Sequence, residues 1–384
     1  MTTPPRRNMS SQNAELSLEN LAGTVLDQRF RLERILSSGG MGVVFKATQL
    51  SVNRAVAIKL IKPDLAGDSD LIARFVQETG VIGKLSHPNI VQFIDSGRDL
   101  NGLTYIVMEY VRGETFRHAL ESARLSLLEI LHVFVQVCDA LIEAHHLGII
   151  HRDLKFENIM MVRHQDDRIH VKILDFGVAR ELEKRSEITR AGEVPGTPGI
   201  IAPELLDSSE PSAQSDLYSL GVLLFTALTG RPPFEGRNDF EVMRAHQIED
   251  IPNLYELLGD SVPEVIIELA YELMQKEPGE RPDSAQAVRD RLERIIGDLE
   301  KQMMDHPRYV PPLRDHLRPF HAPRMIAANR SQEFLAAAPQ AQPAQETASV
   351  APMSVVTALI VVIILMAVAL VYLLYKQHVL TTAI

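Results

Sequence analysis

The first part of the chain carries apolar residues at the spacing of β-strands. Phe30, Leu32 and Ile35 are separated by polar residues, a glycine cluster follows, and further apolar runs cover residues 43–45 and 55–61. A period of about two residues favours half-buried strands, and a glycine cluster between such runs favours a turn. The sequence therefore predicts a β-rich unit here.

From Ser126 onward the apolar residues follow helical spacing instead. Ser126 and Glu129 fit a capping box, an amphipathic helix follows, and Gly148 can end it. A second apolar helix is predicted for residues 217–228, ending at Gly230. A β-rich part followed by an α-rich part predicts an α+β fold with two lobes.

Near the end of the chain the apolar residues become continuous. Residues 355–375 form a run interrupted only by Thr357 and two tyrosines. At 1.5 Å per residue this run would span roughly 31 Å, the thickness of the hydrocarbon core of a bilayer. A buried core helix is the alternative, but such helices are usually shorter and carry a polar face. The sequence predicts a single C-terminal transmembrane helix.

The remaining segments are predicted from composition. Residues 1–28 are expected to form a flexible tail, residues 29–297 the folded domain, and residues 376–384 a short tail after the membrane. Residues 298–354 are rich first in Arg and Pro and then in Ala, Gln and Pro, which favours an extended juxtamembrane linker. Its arginines are either a basic patch for anionic lipid or part of a solvated tether. Without a signal-peptide core, we expect the folded domain on the cytoplasmic side.

Composition and charge exclude several classes of protein. The 384 residues are 46% hydrophobic and 23% charged, as in globular chains. The formal net charge of −11 makes a nucleic-acid partner unexpected. The single cysteine, Cys138, lies in apolar sequence and allows no internal disulfide, which suits a reducing compartment.

A glycine-rich turn and a lysine within an apolar strand point to phosphate binding. The glycines of residues 37–44 let backbone N–H groups approach phosphate oxygens. Fifteen residues after Val44, Lys59 needs a phosphate or carboxylate partner because an unpaired buried ammonium is costly. Glu78, on the following predicted helix, can be that partner.

Three further motifs follow in a fixed order: His-Arg-Asp-Leu-Lys-Phe-Glu-Asn at 151–158, Leu-Asp-Phe-Gly at 174–177 and Ala-Pro-Glu at 202–204. With the glycine-rich turn and Val-Ala-Ile-Lys at 56–59, they resemble the signature set of protein kinases. The Gly-Gly-Met-Gly-Val form of the turn is similar to that of bacterial Hanks-type serine/threonine kinases. The resemblance implies a bilobal kinase domain over residues 29–297, with ATP and Mg²⁺, or Mn²⁺, as cofactors and proteins as substrates.

The resemblance also implies catalytic roles. Asp153 would orient the substrate hydroxyl and accept its proton, and Lys155 would neutralise the γ-phosphate. Lys59 would hold the α- and β-phosphates and pair with Glu78.

A cofactor site is implied in the same way. Asn158 and Asp175 would bind the metal ion. Backbone groups of Glu109 and Val111 in the hinge would bond adenine. The full implied ATP-binding set is Leu36, Ser37, Ser38, Gly39, Gly40, Met41, Gly42, Val43, Val44, Ala57, Lys59, Met108, Glu109 and Val111.

Regulatory and structural positions complete the resemblance. Ser186 and Thr189 are the predicted activation-loop phosphosites, because a phosphate there can pair with Arg152. Thr197 lies in the substrate loop of serine/threonine kinases.

Asp216 would brace the catalytic loop, and Arg281 would form a buried ion pair with Glu204. Both contacts are implied by the resemblance.

Some positions depart from the family pattern or bear on regulation. Ser37 replaces the first glycine of the turn, Phe156 a proline, and Ile200 a tyrosine beside the substrate loop. Gly80 and Gly83 are expected inside the helix that carries Glu78, where they would either make the helix easy to displace or allow close packing against a neighbouring strand.

The sequence thus predicts a membrane-tethered serine/threonine kinase. Crowding on a membrane would favour a transient homodimer that phosphorylates in trans. The alternatives are a pseudokinase, which binds nucleotide without transfer, and a membrane scaffold whose linker and span are the working parts.

Overall fold

The computed structural model describes residues 18–39, 42–61, 83–176, 198–207 and 209–305. These residues form an N-lobe built on a six-stranded sheet and a mainly helical C-lobe that contains a three-stranded sheet. The predicted bilobal fold is confirmed.

The N-lobe sheet is antiparallel, with strand order β1-β2-β3-β4-β6-β5. Its strands are β1 (Val25–Leu26), β2 (Phe30–Ser38), β3 (Gly42–Gln49), β4 (Arg54–Ile61), β5 (Phe93–Arg98) and β6 (Thr104–Glu109). Phe30, Leu32, Phe45 and Ile58 are fully buried and form one face of the sheet's core, as alternation along the strands requires. A short 3₁₀ turn, Leu18–Leu21, packs Leu18 against the same core.

The C-lobe combines a small sheet with eight helices among the described residues. The sheet contains β7 (Glu114–Thr115), β8 (Ile159–Arg163) and β9 (Ile169–Ile173). The helices are α1 (Phe116–Glu121), α2 (Leu127–His146), α3 (Pro203–Leu206), α4 (Ala213–Thr229), α5 (Asp239–Ile248), α6 (Leu254–Leu258), α7 (Glu264–Leu273) and α8 (Ala285–Asp305). The apolar faces of α2, α4, α7 and α8 share one core, in which Cys138 is buried.

The predicted capping box of α2 and the predicted end of α4 are confirmed, whereas α4 begins at Ala213, four residues before the predicted start, because polar residues extend it beyond its apolar run. The Ser126 side chain accepts from the backbone N–H of Glu129, and the Glu129 carboxylate accepts from the backbone N–H of Ser126, so the capping box is complete. Helix α4 ends at Gly230, which has φ of 73° and needs the left-handed freedom of glycine.

Several predictions fall outside the described residues. These concern the termini, the membrane span at 355–375, and Gly40, Met41, Glu78, Ser186, Thr189 and Thr197. Within the described ranges, no helix is long and apolar enough to cross a membrane. The expectation that Gly83 lies inside a helix is wrong, because Gly83 lies in an exposed turn, where glycine is well tolerated.

Candidate active site

The catalytic-loop segment rests on one buried carboxylate. Asp216, 1% exposed at the start of α4, accepts from the backbone N–H of His151 at 2.8 Å and of Arg152 at 3.0 Å. His145 Nε2 lies 2.9 Å from the same carboxylate. Arg152 has φ of 66°, a conformation that costs free energy in a non-glycine residue. The two backbone hydrogen bonds to Asp216 stabilise that conformation.

His151 joins this loop to the segment that precedes Asp175. Its Nδ1 accepts from the backbone N–H of Asp153 at 3.3 Å, and its Nε2 lies 3.0 Å from Leu174 O. Because Nδ1 accepts, Nε2 carries the proton and donates to the carbonyl. Burial lowers the pKa of His151, which keeps the ring neutral. Its ring also packs against that of Phe176, with centroids 4.6 Å apart.

Two polar side chains converge on Asp153. Lys155 Nζ lies 2.6 Å from Asp153 Oδ2. Asn158 Nδ2 donates to Asp153 O at 2.9 Å and to Asp153 Oδ2 at 3.3 Å. The backbone N–H of Leu174 donates to Asn158 O at 2.8 Å. The catalytic loop and the start of the Asp175 segment therefore form one hydrogen-bonded unit.

Lys59 crosses from the N-lobe to this unit. Its Nζ lies 3.0 Å from Asp175 Oδ2, and the lysine side chain is 12% exposed. Lys59 sits on β4 opposite Val44 of β3, next to the glycine-rich turn. The expected pairing with Glu78 lies outside the described residues, so it stays a prediction.

The side chains of Asn158 and Asp175 are suitable ligands for a magnesium ion. Asn158 uses its Nδ2 on Asp153, which leaves the amide oxygen as a possible ligand, and Asp175 supplies carboxylate oxygens. Among the described residues no group of three or more His, Cys, Asp or Glu side chains gathers to hold a metal. Mg²⁺ is commonly held by one or two side-chain oxygens together with substrate phosphates and water. This donor set therefore suits a metal that arrives with a nucleotide.

The glycine-rich turn joins β2 to β3. Gly39 N donates to Gly42 O at 2.9 Å, and Ser37 and Ser38 pair with Val44 and Val43. A Cβ on Gly42 would lie 1.9 Å from Leu60 O on the neighbouring strand. Only glycine allows β3 to approach β4 this closely.

The rest of the implied ATP set lies along the turn and the hinge. Leu36, Ser37 and Ser38 are exposed at the end of β2, whereas Val43 is buried near the start of β3. Ala57 is buried and pairs with Met108 across β4 and β6. Glu109 ends β6, and Val111 follows it.

The Arg281–Glu204 pair joins the start of α3 to the segment that precedes α8. Arg281 is fully buried, and its guanidinium contacts both Glu204 oxygens at 2.8 Å. Its remaining N–H groups donate to the carbonyls of Gln275, Gln214 and Lys276 at 2.8–2.9 Å. All five guanidinium donors are therefore used. Burial opposes ionisation of Glu204, but the hydrogen bonds and charge of Arg281 outweigh it and lower the pKa of Glu204.

Two of the departures from the family pattern have a visible structural setting. Phe156 is buried, and its ring meets Phe116 edge-on at 5.3 Å. Ile200 is partly buried, and its carbonyl accepts from Ser219 Oγ at 3.2 Å.

Sequence reasoning missed one residue near the site. Lys172 lies on β9, three residues before Asp175, and its Nζ is 2.5 Å from Glu109 Oε1. The only signal in the sequence is a lysine inside the apolar run 169–173, and nothing there identifies its partner.

The two-lobed fold, with Lys59 and Asp175 paired across the lobes beside Asp153 and Asn158, is that of a nucleotide-dependent phosphotransferase. Residues 30–292 match the protein kinase domain family. The chain belongs to the protein kinase family, among the Hanks-type serine/threonine kinases of bacteria.

Curated relatives agree with this assignment, and solved structures share the fold. The chain is 35% identical over 293 residues to serine/threonine-protein kinase pkn3 of Myxococcus xanthus, covering 75% of this chain and 53% of that protein. It is 33% identical over 267 residues to serine/threonine-protein kinase PrkC of Bacillus subtilis, covering 69% and 40%. The chain thus spans about half the length of these relatives or less. A crystal structure of the PknI kinase domain of Mycobacterium tuberculosis shares the fold, with TM-score 0.55, 23% identity, and coverage of 71% of this chain and 98% of that one.

Proposed function

We propose that the chain is an active serine/threonine protein kinase that transfers the γ-phosphate of ATP to serine and threonine hydroxyls of proteins. The observation that carries the proposal is the joint placement of Lys59, Asp153, Lys155, Asn158 and Asp175 at the boundary of the lobes. A site for phosphoryl transfer needs little more than positioned charges of these kinds.

Each side chain has a role that follows from its contacts. Asp153, fixed by Asn158 and by the loop backbone, would orient the attacking hydroxyl and accept its proton. The hydroxyl oxygen would bond to the γ-phosphorus as the bond to the β–γ bridging oxygen breaks. Lys155, beside Asp153, would neutralise charge that develops on the transferred group. Lys59 would exchange part of its contact with Asp175 for the α- and β-phosphates.

Asp175 and Asn158 would hold Mg²⁺, or Mn²⁺ in its place. When bound, the ion supplies positive charge to the phosphate oxygens. The adenine would bond to backbone groups of Glu109 and Val111.

The same residues argue against the two alternatives. A pseudokinase usually lacks one of the side chains that transfer requires, and here the four charged residues and Asn158 are all present. A scaffold whose linker and span do the work needs no such cluster, and would keep its cellular function in a transfer-deficient variant.

The test of substrate class is phosphoamino acid analysis. The full chain, purified in mild detergent, is incubated with labelled ATP, Mg²⁺ and a generic basic protein. Phosphoserine and phosphothreonine are the expected products. Phosphotyrosine alone would contradict the assignment as a serine/threonine kinase.

Control by autophosphorylation is part of the proposal. Thr189, and secondly Ser186, would carry phosphate that pairs with Arg152 and orders the loop containing Thr197. Mass spectrometry of active enzyme checks this, and active enzyme unmodified at both positions would refute it.

The proposed function also includes tethering of the kinase domain to a membrane. The apolar run at 355–375 would anchor the chain, with residues 298–354 as linker and the kinase domain in the cytoplasm. Confinement to a surface raises the rate of encounter between copies and would favour a transient homodimer. Removal of residues 355–384 should release the protein from membranes in cell fractionation, and continued sedimentation with membranes would argue against the anchor.

A further inference from the structure

One ion pair outside the kinase motifs joins the hinge to the strand that leads into Asp175. Lys172 Nζ lies 2.5 Å from Glu109 Oε1 and 3.3 Å from Ile90 O. Glu109 ends β6 of the N-lobe, whereas Lys172 belongs to β9 of the C-lobe. The pair therefore connects the hinge, where adenine would bind, with the strand before Asp175, where the metal ion would bind.

Both side chains of this pair are held more firmly than those of an exposed ion pair. The Lys172 side chain is 18% exposed and that of Glu109 is 30% exposed. Glu109 Oε1 also accepts from the backbone N–H of Gln92 at 2.9 Å, and Gln92 O accepts from the backbone N–H of Glu109 at 2.9 Å. Partial burial reduces screening by salt, and a charged group with additional hydrogen bonds contributes more than an exposed pair.

The backbone between Lys172 and Asp175 is also fixed. Ile173 O accepts from the backbone N–H of Val91 at 2.9 Å, and the following residue's N–H donates to Asn158 O at 2.8 Å. Because these hydrogen bonds hold the backbone between the two residues, a displacement of Lys172 would also displace Asp175.

We propose that the Lys172–Glu109 ion pair is a clasp that sets the spacing between the hinge and Asp175, and that Lys172 is a positioning residue for nucleotide binding. The proposal rests on the proposed function, because it assumes that adenine binds the hinge and that metal and phosphates meet Asp175. Lys172 acts through the Glu109 backbone at one end and through β9 at the other. A spacing that is set beforehand lowers the ordering cost of nucleotide binding.

The test is steady-state kinetics with ATP as the varied substrate, using the full chain and its Lys172→Met and Lys172→Arg variants. Lys172→Met should raise KM for ATP by about three- to tenfold, the size expected for the loss of one ordinary hydrogen bond. Its kcat should stay within about twofold of wild type, because the side chain touches no reacting atom. Lys172→Arg keeps the cation and should restore most of the affinity.

A matched control is available on the same small sheet. Arg163 on β8 pairs with Glu129 at 3.0 Å, away from the hinge, so Arg163→Met removes a cation without opening the clasp. Its KM for ATP should match that of wild type. Equal KM values for the Lys172→Met and Arg163→Met variants would overturn the proposal. So would a loss of kcat that Lys172→Arg does not restore, because that pattern indicates general damage.

The role of the Lys172–Glu109 clasp and the kinase activity are tested independently of each other. A wild-type chain that transfers no phosphate would refute the proposed function. Calorimetry with a non-hydrolysable ATP analogue and Mg²⁺ would then compare the same variants by binding alone. Weaker binding by Lys172→Met would support the clasp, and unchanged binding would refute it.

Discussion

Replacing Arg281 by methionine should nearly unfold the C-lobe at neutral pH. The substitution leaves the mostly buried Glu204 carboxylate, which is 13% exposed, without its counter-ion and removes the donors of three backbone carbonyls. Breaking one side of a buried ion pair costs about 3–5 kcal/mol, a large part of the 5–15 kcal/mol that keeps a typical domain folded. Urea unfolding of the full chain, followed by far-ultraviolet circular dichroism, measures the loss.

A second arginine provides the control for this experiment. Arg289 on α8 contacts Asp139 on α2 at 2.5 Å and Glu293 at 2.9 Å, but its partners are partly exposed. Arg289→Met should therefore cost no more than about 1 kcal/mol. A loss for Arg281→Met that matches the loss for Arg289→Met would refute the account of the buried pair.

The pH dependence of this loss has a defined sign. Because the folded-state pKa of Glu204 is lowered, its stabilising contribution is complete above the ordinary value of 4.5 and is lost as the pH falls through the folded-state pKa. In Arg281→Met, the buried carboxylate destabilises the fold until it is protonated. The difference between wild type and variant should therefore be largest near neutral pH and should shrink in acid.

Three further changes have expected outcomes. Gly42→Ala should weaken ATP binding severely in calorimetry, because its Cβ would overlap Leu60 O; unchanged affinity would contradict the close approach. Phe156→Pro, which installs the family's usual residue, should lower the free energy of unfolding by about 3 kcal/mol through loss of packing on Phe116, and a neutral effect in urea unfolding would contradict that packing. Burial lowers the pKa of His246 to about 3, so wild type should lose about 2 kcal/mol between about pH 7 and pH 5 from this group, and His246→Gln should not. Equal pH dependence of the two proteins in urea unfolding would contradict a buried neutral imidazole.

The sequence predicted the elements whose signals are local. Alternation around Phe30 and Leu32, the capping box at Ser126 and the glycine after α4 each depend on residues close in the chain. Gly83 was assigned wrongly because the sequence around it does not distinguish a glycine in a helix from a glycine in a turn.

Contacts between distant segments could not be read from spacing. Lys172 and Glu109 are 63 residues apart, and Lys172 looks like the outward position of an apolar strand. The three carbonyl partners of Arg281 are backbone groups, which carry no residue-specific signal. The ion pair of Lys59 with Asp175 needed the fold as well, since it joins residues 116 positions apart.

The most direct test of the account is transfer of label from γ-labelled ATP with Mg²⁺ by the full chain and by two aspartate variants. Asp153→Asn removes the carboxylate that would accept the hydroxyl proton. Asp167→Asn is the matched control, because Asp167 lies in the exposed turn between β8 and β9 with φ of 62°, which asparagine tolerates. We predict that wild type and Asp167→Asn transfer phosphate at similar rates and that Asp153→Asn binds ATP but transfers almost none. Equal transfer by Asp153→Asn, or none by wild type with ATP bound, would contradict the assignment of this site as an active kinase.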